Sequence, residues 1–411
     1  MSNNDQTLAI HGGTPVRKEG FAEWPIYDEL EEQYLLRVLH SSKWGGVGPV
    51  KSDDYSPMIP QAEKKFAELH DADFAVACCN GTVALTIALQ AAGVRPGDEV
   101  IVPPYTFIAT AFGALAYGVI PVFADIDENT LLIDPEAVER AVTPKTRAVI
   151  AVHIAGAPAD LTKLKEVTTK HGLVLIEDAA QAVGAEWEGR KIGAIGDIGT
   201  FSFQSSKNLN SGEGGMIVTN SRELWERVWS IVNVGRIPGG AWYQHELVGQ
   251  NYRITEFQAA ILLAQMTRLE EQMQIRESRT ALLDSLLSTI DGISPVPAPE
   301  GTTKHAHHLY MLTLDKEFAG RIDKDEFIRR MNAEGIPLAY GYVPLNQNRA
   351  ILSSIREWTG QERYDACPVC EELCAKRVLW LHQNVLLSDE SAIEDIAKAF
   401  RKVIASYHVN T

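Results

Sequence analysis

The chain has 411 residues, 45% of them apolar and 22% charged, which supplies core material for two or three domains without excess Gly or Pro. Its 38 basic and 54 acidic residues leave a formal charge of −16, which repels phosphate backbones and anionic lipid and argues against nucleic acid or membrane partners. No apolar run approaches the ~20 residues that span a bilayer, the polar residues 1–7 hold no signal-peptide core, and five cysteines suit a reducing compartment, so a cytoplasmic location is expected.

Residues 1–60 are rich in Gly, Pro and Trp, and Trp44-Gly45-Gly46-Val47-Gly48-Pro49 reads as a loop, so this segment is expected to be irregular. From residue 74 the pattern alternates: strand 74–78, helix 82–92, strand 99–102, helix 107–117, strand 122–124, helix 135–142, strand 148–153, helix 161–171, strand 173–177. That rhythm implies a mostly parallel sheet covered by helices. Later strands fall at 200–203 and 216–218, and one long helical pattern runs from about 255 to 287. Pro295-Val296-Pro297-Ala298-Pro299 then punctuates the chain, before strand 308–314, helix 324–334 and an amphipathic helix 390–407. The expected class is α/β, with an irregular segment over 1–60, a large domain over 61–250, a connecting helix over 251–290 and a small C-terminal α+β domain over 291–411.

Lys207 lies between the strand-like Thr200-Phe201-Ser202-Phe203 and the cluster Gly212-Glu213-Gly214-Gly215. A lone lysine among Ser, Asn and Gly has little packing value. An aldehyde cofactor, by contrast, needs one reachable amine on a rigid turn with small neighbours. The run Val174-Leu175-Ile176-Glu177-Asp178 is an apolar strand ending in an acid, which is how a fold presents a charge to a ring nitrogen. Together they read as a pyridoxal 5'-phosphate site, with Lys207 as the Schiff-base amine and Asp178 as the pyridinium partner. A surface lysine on a polar loop explains Lys207 taken alone, but not the acid strand. Asn80-Gly81-Thr82 sits between a strand and a helix, where free N–H groups bind phosphate, although a simple helix cap explains Asn80 as well. Ser202 is a further phosphate donor. Either Tyr105 or Phe107 could stack on a flat ring, and the residues themselves do not choose. In open α/β sheets ligands bind beyond the carboxyl ends of strands, where Asp178, Asn80 and the loop after Val102 all fall.

Other chemistries find less support. Cys367, Cys370 and Cys374 share one face of a helix that Pro368 would open, and they lack a fourth ligand, so burial is expected and no metal. His305, His307 and His308 have no accompanying ligand pattern. No G-x-G-x-x-G follows an early strand, and neither G-x-S-x-G nor S-x-x-K occurs.

Over nearly its whole length the chain resembles the DegT/StrS-type family of pyridoxal phosphate-dependent sugar aminotransferases, of the aspartate-aminotransferase fold (fold type I). The resemblance rests on Asn80-Gly81-Thr82, Thr106-Phe107-Ile108-Ala109-Thr110, Glu177-Asp178-Ala179-Ala180-Gln181, Ser202-Phe203 with Lys207, Gly212-Glu213-Gly214-Gly215 and Asn251-Tyr252-Arg253. It implies Lys207 as the cofactor lysine, Asp178 at the ring nitrogen, Gln181 near the 3-hydroxyl, Phe107 on the ring, and Gly81, Thr82 and Ser202 on the phosphate. It further implies that Asn251 reaches the phosphate of a neighbouring subunit, so that a homodimer shares its active sites. Members with histidine in place of the lysine are dehydratases; Lys207 makes amino transfer the expected chemistry. The donor would be glutamate or glutamine, the acceptor a keto-sugar or keto-cyclitol, and the kinetics ping-pong through pyridoxamine phosphate. The run Phe201-Ser202-Phe203-Gln204-Ser205-Ser206-Lys207 looks more like members acting on cyclitol ketones such as scyllo-inosose, or making aminohydroxybenzoate, than nucleotide-sugar members. The alternatives are another pyridoxal phosphate chemistry on this scaffold, or a non-catalytic regulator, which the −16 charge and the lack of a DNA-binding module disfavour. Beyond the cofactor residues, loop 44–48, His153, His308 and Tyr340-Gly341-Tyr342 are pocket candidates that packing explains equally well.

Overall fold

The computed structural model describes residues 7–46 and 55–408. The chain start before Thr7 and the end of the expected loop 44–48, Val47 and Gly48, lie outside the described residues. β1 (Phe74–Cys78), β2 (Glu99–Val102), β3 (Ile120–Phe123), β4 (Thr146–Val152) and β5 (Val174–Asp178) are short apolar runs. Strands covered on both faces need no polar alternation, and Val100, Ile101 and Val102 are all fully buried. A ribbon of β6 (Glu186–Trp187) and β7 (Arg190–Lys191) follows, then β8 (Ile198–Ser202) and β9 (Gly215–Thr219). The seven-stranded sheet has the order β1-β9-β8-β5-β4-β2-β3. Only β9 runs against its neighbours β1 and β8; the other pairings are parallel.

The segment 1–60 is not irregular throughout, as its composition led one to expect. It carries helix Glu29–Ser41, started by a capping box in which Asp28 accepts from Leu30 N (2.8 Å) and Glu31 from Asp28 N (3.0 Å). The expected single helix over 255–287 is two helices, Glu256–Met266 and Leu269–Leu287. Thr267 and Arg268 close tight turns onto Ala264 O (3.1 Å) and Gln265 O (3.2 Å), and the Arg268 side chain pairs with Asp28 (2.6 Å) and Glu31. Those ion pairs fasten the break to the N-terminal helix.

A second core forms around β10 (Ile293–Pro295), β12 (Leu309–Leu314), β13 (Ala339–Tyr340) and β14 (Val378–His382), in the order β10-β12-β14-β13; β11 (Thr302–Lys304) pairs with β6 instead. Helices Lys324–Ala333 and Glu390–His408 cover it, with Leu312, Phe327 and Phe400 fully buried. Helices Arg349–Thr359 and Pro368–Lys376, expected within the C-terminal domain, place Ile351, Ile355, Cys370 and Leu373 in the first core. Cys367, Cys370 and Cys374 are buried, and among the described residues no group of three or more His, Cys, Asp or Glu could hold a metal ion. Nor is any helix among them long and apolar enough to cross a membrane.

The first described residues form a strap across both cores. Buried Glu334 accepts from Ala9 N (2.8 Å), Val16 N (3.0 Å) and Lys402 Nζ (2.9 Å). Further along, Ala22 N donates to Ser388 Oγ (2.9 Å) and Trp24 Nε1 to Ser205 O (2.8 Å).

Candidate active site

β1, β2, β5 and β8 point the same way, so their carboxyl ends meet at one edge of the sheet. A cavity of about 700 Å³ opens there. Gly81, Thr82, Phe107, Asp178, Gln181, Ser202 and Lys207 all line it, although they span 127 positions from 81 to 207.

The floor is the end of β5. Successive strand residues face opposite ways, so Glu177 and Asp178 serve different sides of the sheet. Glu177 is fully buried and accepts from Gly193 N (2.5 Å), Ile195 N (2.8 Å), Gly196 N (2.6 Å) and His153 Nε2 (3.1 Å). Burial alone would raise its pKa; the hydrogen bonds from His153, Gly193 and Gly196 outweigh it and hold the carboxyl below its ordinary value. His153 Nδ1 accepts from Ala159 N (3.0 Å), so its proton is on Nε2. His153 is therefore a fully partnered strut under the sheet and does not line the cavity.

Asp178 turns to the cavity. Its Oδ2 accepts from Thr110 Oγ1 (2.9 Å) and its Oδ1 from Ala180 N (3.3 Å). Burial pushes its pKa up, while the Thr110 and Ala180 hydrogen bonds and the nearby Lys207 ammonium pull it back. Gln181 is pinned at both ends: Oε1 accepts from Ala155 N (2.7 Å), and Nε2 donates to Tyr342 Oη (2.9 Å).

Asn80 does cap helix Gly81–Ala91, its Oδ1 accepting from Val83 N (2.9 Å). That cap leaves the N–H groups of Gly81 and Thr82 without a protein acceptor among the described residues, and both residues line the cavity. A Cβ on Gly81 would lie 2.7 Å from Ser202 Cβ, so only glycine lets the helix start against the end of β8. Capping and anion binding are thus compatible: one hydrogen bond fixes the turn, and two free N–H groups and a hydroxyl form the cradle.

Lys207 lies on a turn closed by its own N–H to Gln204 O (2.8 Å) and braced by Ser211 N to Phe203 O (2.9 Å). Its ammonium is deeply embedded, which lowers its pKa to about 8, although Asp178 raises it in part. A turn-mounted amine of depressed pKa, a carboxylate and an anion cradle face one space. This donor set fits a phosphorylated pyridine aldehyde: amine for the aldehyde, carboxylate for the ring nitrogen, cradle for the phosphate.

The two aromatic alternatives separate clearly. Tyr105 is fully buried and stands edge-on to Tyr342 at 5.5 Å, whereas Phe107 lines the cavity and is 54% exposed. His308 lines the cavity, with Nδ1 3.0 Å from Asn208 Oδ1, and so does Tyr342; Tyr340 does not. Asn251 is exposed, bridges to Asn233, and does not line the cavity of its own chain. Thr110, Gln204 and Glu213, quoted within motifs but given no role, also face the cavity, as do Trp380 and His382, which were not singled out from sequence. The one available signal was alternation in Val378-Leu379-Trp380-Leu381-His382, which puts Trp380 and His382 on the same face of β14.

The sequence profile of the DegT/DnrJ/EryC1/StrS aminotransferase family matches residues 27–401. An L-glutamine:2-deoxy-scyllo-inosose aminotransferase of Streptoalloteichus tenebrarius is 41% identical, covering 97% of each chain. The enzyme of that name from Streptomyces kanamyceticus is 40% identical, covering 98% of each. Among solved structures, 3-amino-5-hydroxybenzoic acid synthase superposes with a TM-score of 0.84 at 33% identity, covering 95% of this chain and all of that one.

Proposed function

This chain belongs to the DegT/DnrJ/EryC1/StrS aminotransferase family, and on that premise we propose that it moves the amino group of L-glutamine onto a keto-cyclitol of the scyllo-inosose type. Its cofactor is pyridoxal 5'-phosphate, held by Lys207, Asp178, Gln181, Phe107 and the cradle of Gly81, Thr82 and Ser202. The observation that carries this reading is the Lys207 amine facing the same cavity as Asp178 and the free helix N–H groups.

When bound, the cofactor supplies an electron sink for the carbon that loses its proton. Lys207 Nζ would hold the cofactor by its aldehyde and, as a free amine of lowered pKa, would carry the proton at the reacting carbon. Asp178 would face the ring nitrogen and favour its protonated form. Gln181, tied to both Ala155 and Tyr342, fixes the oxygen side of the ring.

The acceptor class follows from the rest of the lining. Among the described residues around the cavity, Lys207 is the only lysine or arginine. A neutral polyol ketone suits the uncharged donors and acceptors of Gln204, Tyr342, His308 and His382. The relatives named for 2-deoxy-scyllo-inosose support the same choice.

Two further parts belong to this reading. As the family resemblance implies, Asn251 serves the phosphate of a second copy in a homodimer, a reading supported by its exposure away from its own cavity. A cytoplasmic location belongs to the same reading, supported by the five free cysteines.

The test is a two-stage assay. Protein loaded with pyridoxal phosphate and treated with L-glutamine should lose its visible absorbance in proportion to active sites. The aminated form should then be reoxidised by 2-deoxy-scyllo-inosose and not by nucleotide-linked keto-sugars. Reoxidation by the nucleotide-linked sugars alone would overturn the acceptor assignment.

A further inference from the structure

Asp178 must remain ionised although it is only 5% exposed. Its second oxygen, Oδ2, is occupied from the protein side by Thr110 Oγ1 at 2.9 Å. Thr110 Oγ1 is in turn 3.1 Å from Thr106 Oγ1, and both threonines are 1% exposed. A hydroxyl has one proton to give. An ionised carboxylate can only accept, so Thr110 spends its proton on Asp178. In the second contact Thr110 therefore accepts, and Thr106 donates. The chain has one possible direction, Thr106 to Thr110 to Asp178, with both O–H dipoles pointing toward the carboxylate. Oδ1, held only by the longer bond from Ala180 N (3.3 Å), stays available to the cavity.

We propose that Thr110, backed by Thr106, is a positioning residue that keeps Asp178 in its ionised form and reserves Oδ1 for the cofactor ring nitrogen. The inference rests on the cofactor assignment made above. Its physical content is a competition for one proton. Donors aimed at a carboxylate lower its proton affinity, so the shared proton stays on the ring nitrogen. Without the Thr110 hydroxyl, Asp178 is the stronger base and takes the proton, and the ring loses the charge that draws electrons from the reacting carbon. The spacing supports the role: Thr106, on the loop after β2, and Thr110, in the first turn of helix Ala109–Leu115, flank the start of that helix, so the relay also ties the loop to the end of β5.

The test uses the holoenzyme loaded with pyridoxal phosphate carrying a nitrogen-15 label in the ring, in wild type, Thr110→Val, Thr110→Ser, Thr106→Val and Asp178→Asn. Valine keeps the shape of threonine and removes the hydroxyl. The expected result for Thr110→Val is a ring-nitrogen signal displaced toward the unprotonated position, in the direction set by Asp178→Asn. Its half-reaction rate with L-glutamine should fall about tenfold, the worth of one hydrogen bond to a charged group. KM should change by less than about twofold, since ground-state binding is not touched. Thr110→Ser should restore both readings, and Thr106→Val should move both by less, in the same direction. An undisplaced signal in Thr110→Val overturns the inference, as does a Thr110→Ser that behaves like valine. If Thr110→Val fails to fold, an undisplaced signal in Thr106→Val overturns it. An undisplaced signal in Asp178→Asn overturns the cofactor reading itself.

Discussion

At the floor of the cavity, Glu177, Asp178 and Gln181 are held by hydrogen bonds from their own chain: four to Glu177, two to Asp178 and two at Gln181. At the mouth, Phe107 is 54% exposed; away from the cavity, Asn251 is exposed and the loop with Trp242, Tyr243 and Val248 carries apolar side chains into solvent. The floor is preorganised before any ligand arrives, which is what stabilisation of developing charge requires. The mouth leaves surface uncovered, as a site completed by another molecule would. Substitutions in the floor should therefore cost rate, and those at the mouth should depend on how subunits are combined.

The largest expected effect is on the amine that stands between these regions. Lys207→Ala should lower amino transfer on the order of 10⁴-fold, the upper range for a lost proton-transfer group. Borohydride treatment of the wild-type holoenzyme should fix the cofactor on Lys207, and peptide mapping that finds another lysine would end the assignment. Next comes the floor itself. Asp178→Asn should keep cofactor binding but lower the half-reaction on the order of 10²–10³-fold. A near-normal rate would show that the floor's charge is not used.

The pKa of Lys207 gives a third comparison. Burial lowers it to about 8, so in the cofactor-free protein the free amine is protonated and unreactive below that pH. Capture of a simple aldehyde should rise about tenfold per pH unit up to about pH 8 and then level off. Continued rise toward pH 10 would mean that the amine is not embedded. The smallest effect tests the mouth. Mixing Lys207→Ala and Asn251→Ala chains should restore about a quarter of wild-type activity, because half the dimers are hybrids with one intact site each. No recovery in hybrids proven by mass spectrometry would show that each site is built from one chain.

The floor was largely legible in the sequence and the mouth was not. Short apolar runs ending in Cys78, Val102 and Asp178 announce strands, and a ligand edge follows from where such strands end. Lys207, between Ser206 and Asn208, stands out once it is read beside the acid that ends β5. By contrast Trp380 and His382 on β14, and Tyr342 just after β13, reach the cavity from the second sheet, and nothing local encodes where that sheet will meet the first core. Thr110 lay inside a quoted motif, yet its role depends on a partner 68 positions away. The helix Glu29–Ser41 was hidden by the Gly- and Trp-rich composition around it, although its capping box is spelled out by Asp28 and Glu31.

The strap of the first described residues makes the beginning of the chain a mechanical part of the reactive turn. Glu334 anchors it at one end through Ala9 and Val16, and Trp24 clips its other end to the carbonyl of Ser205, two positions before Lys207. A cut or deletion that removes residues 9–24 would strip the Glu334 carboxylate of both backbone donors and leave Lys402 as its remaining partner among the described residues. The same cut would release Ser205. Shortening the chain at that end would thus blunt the reactive amine from outside the cavity.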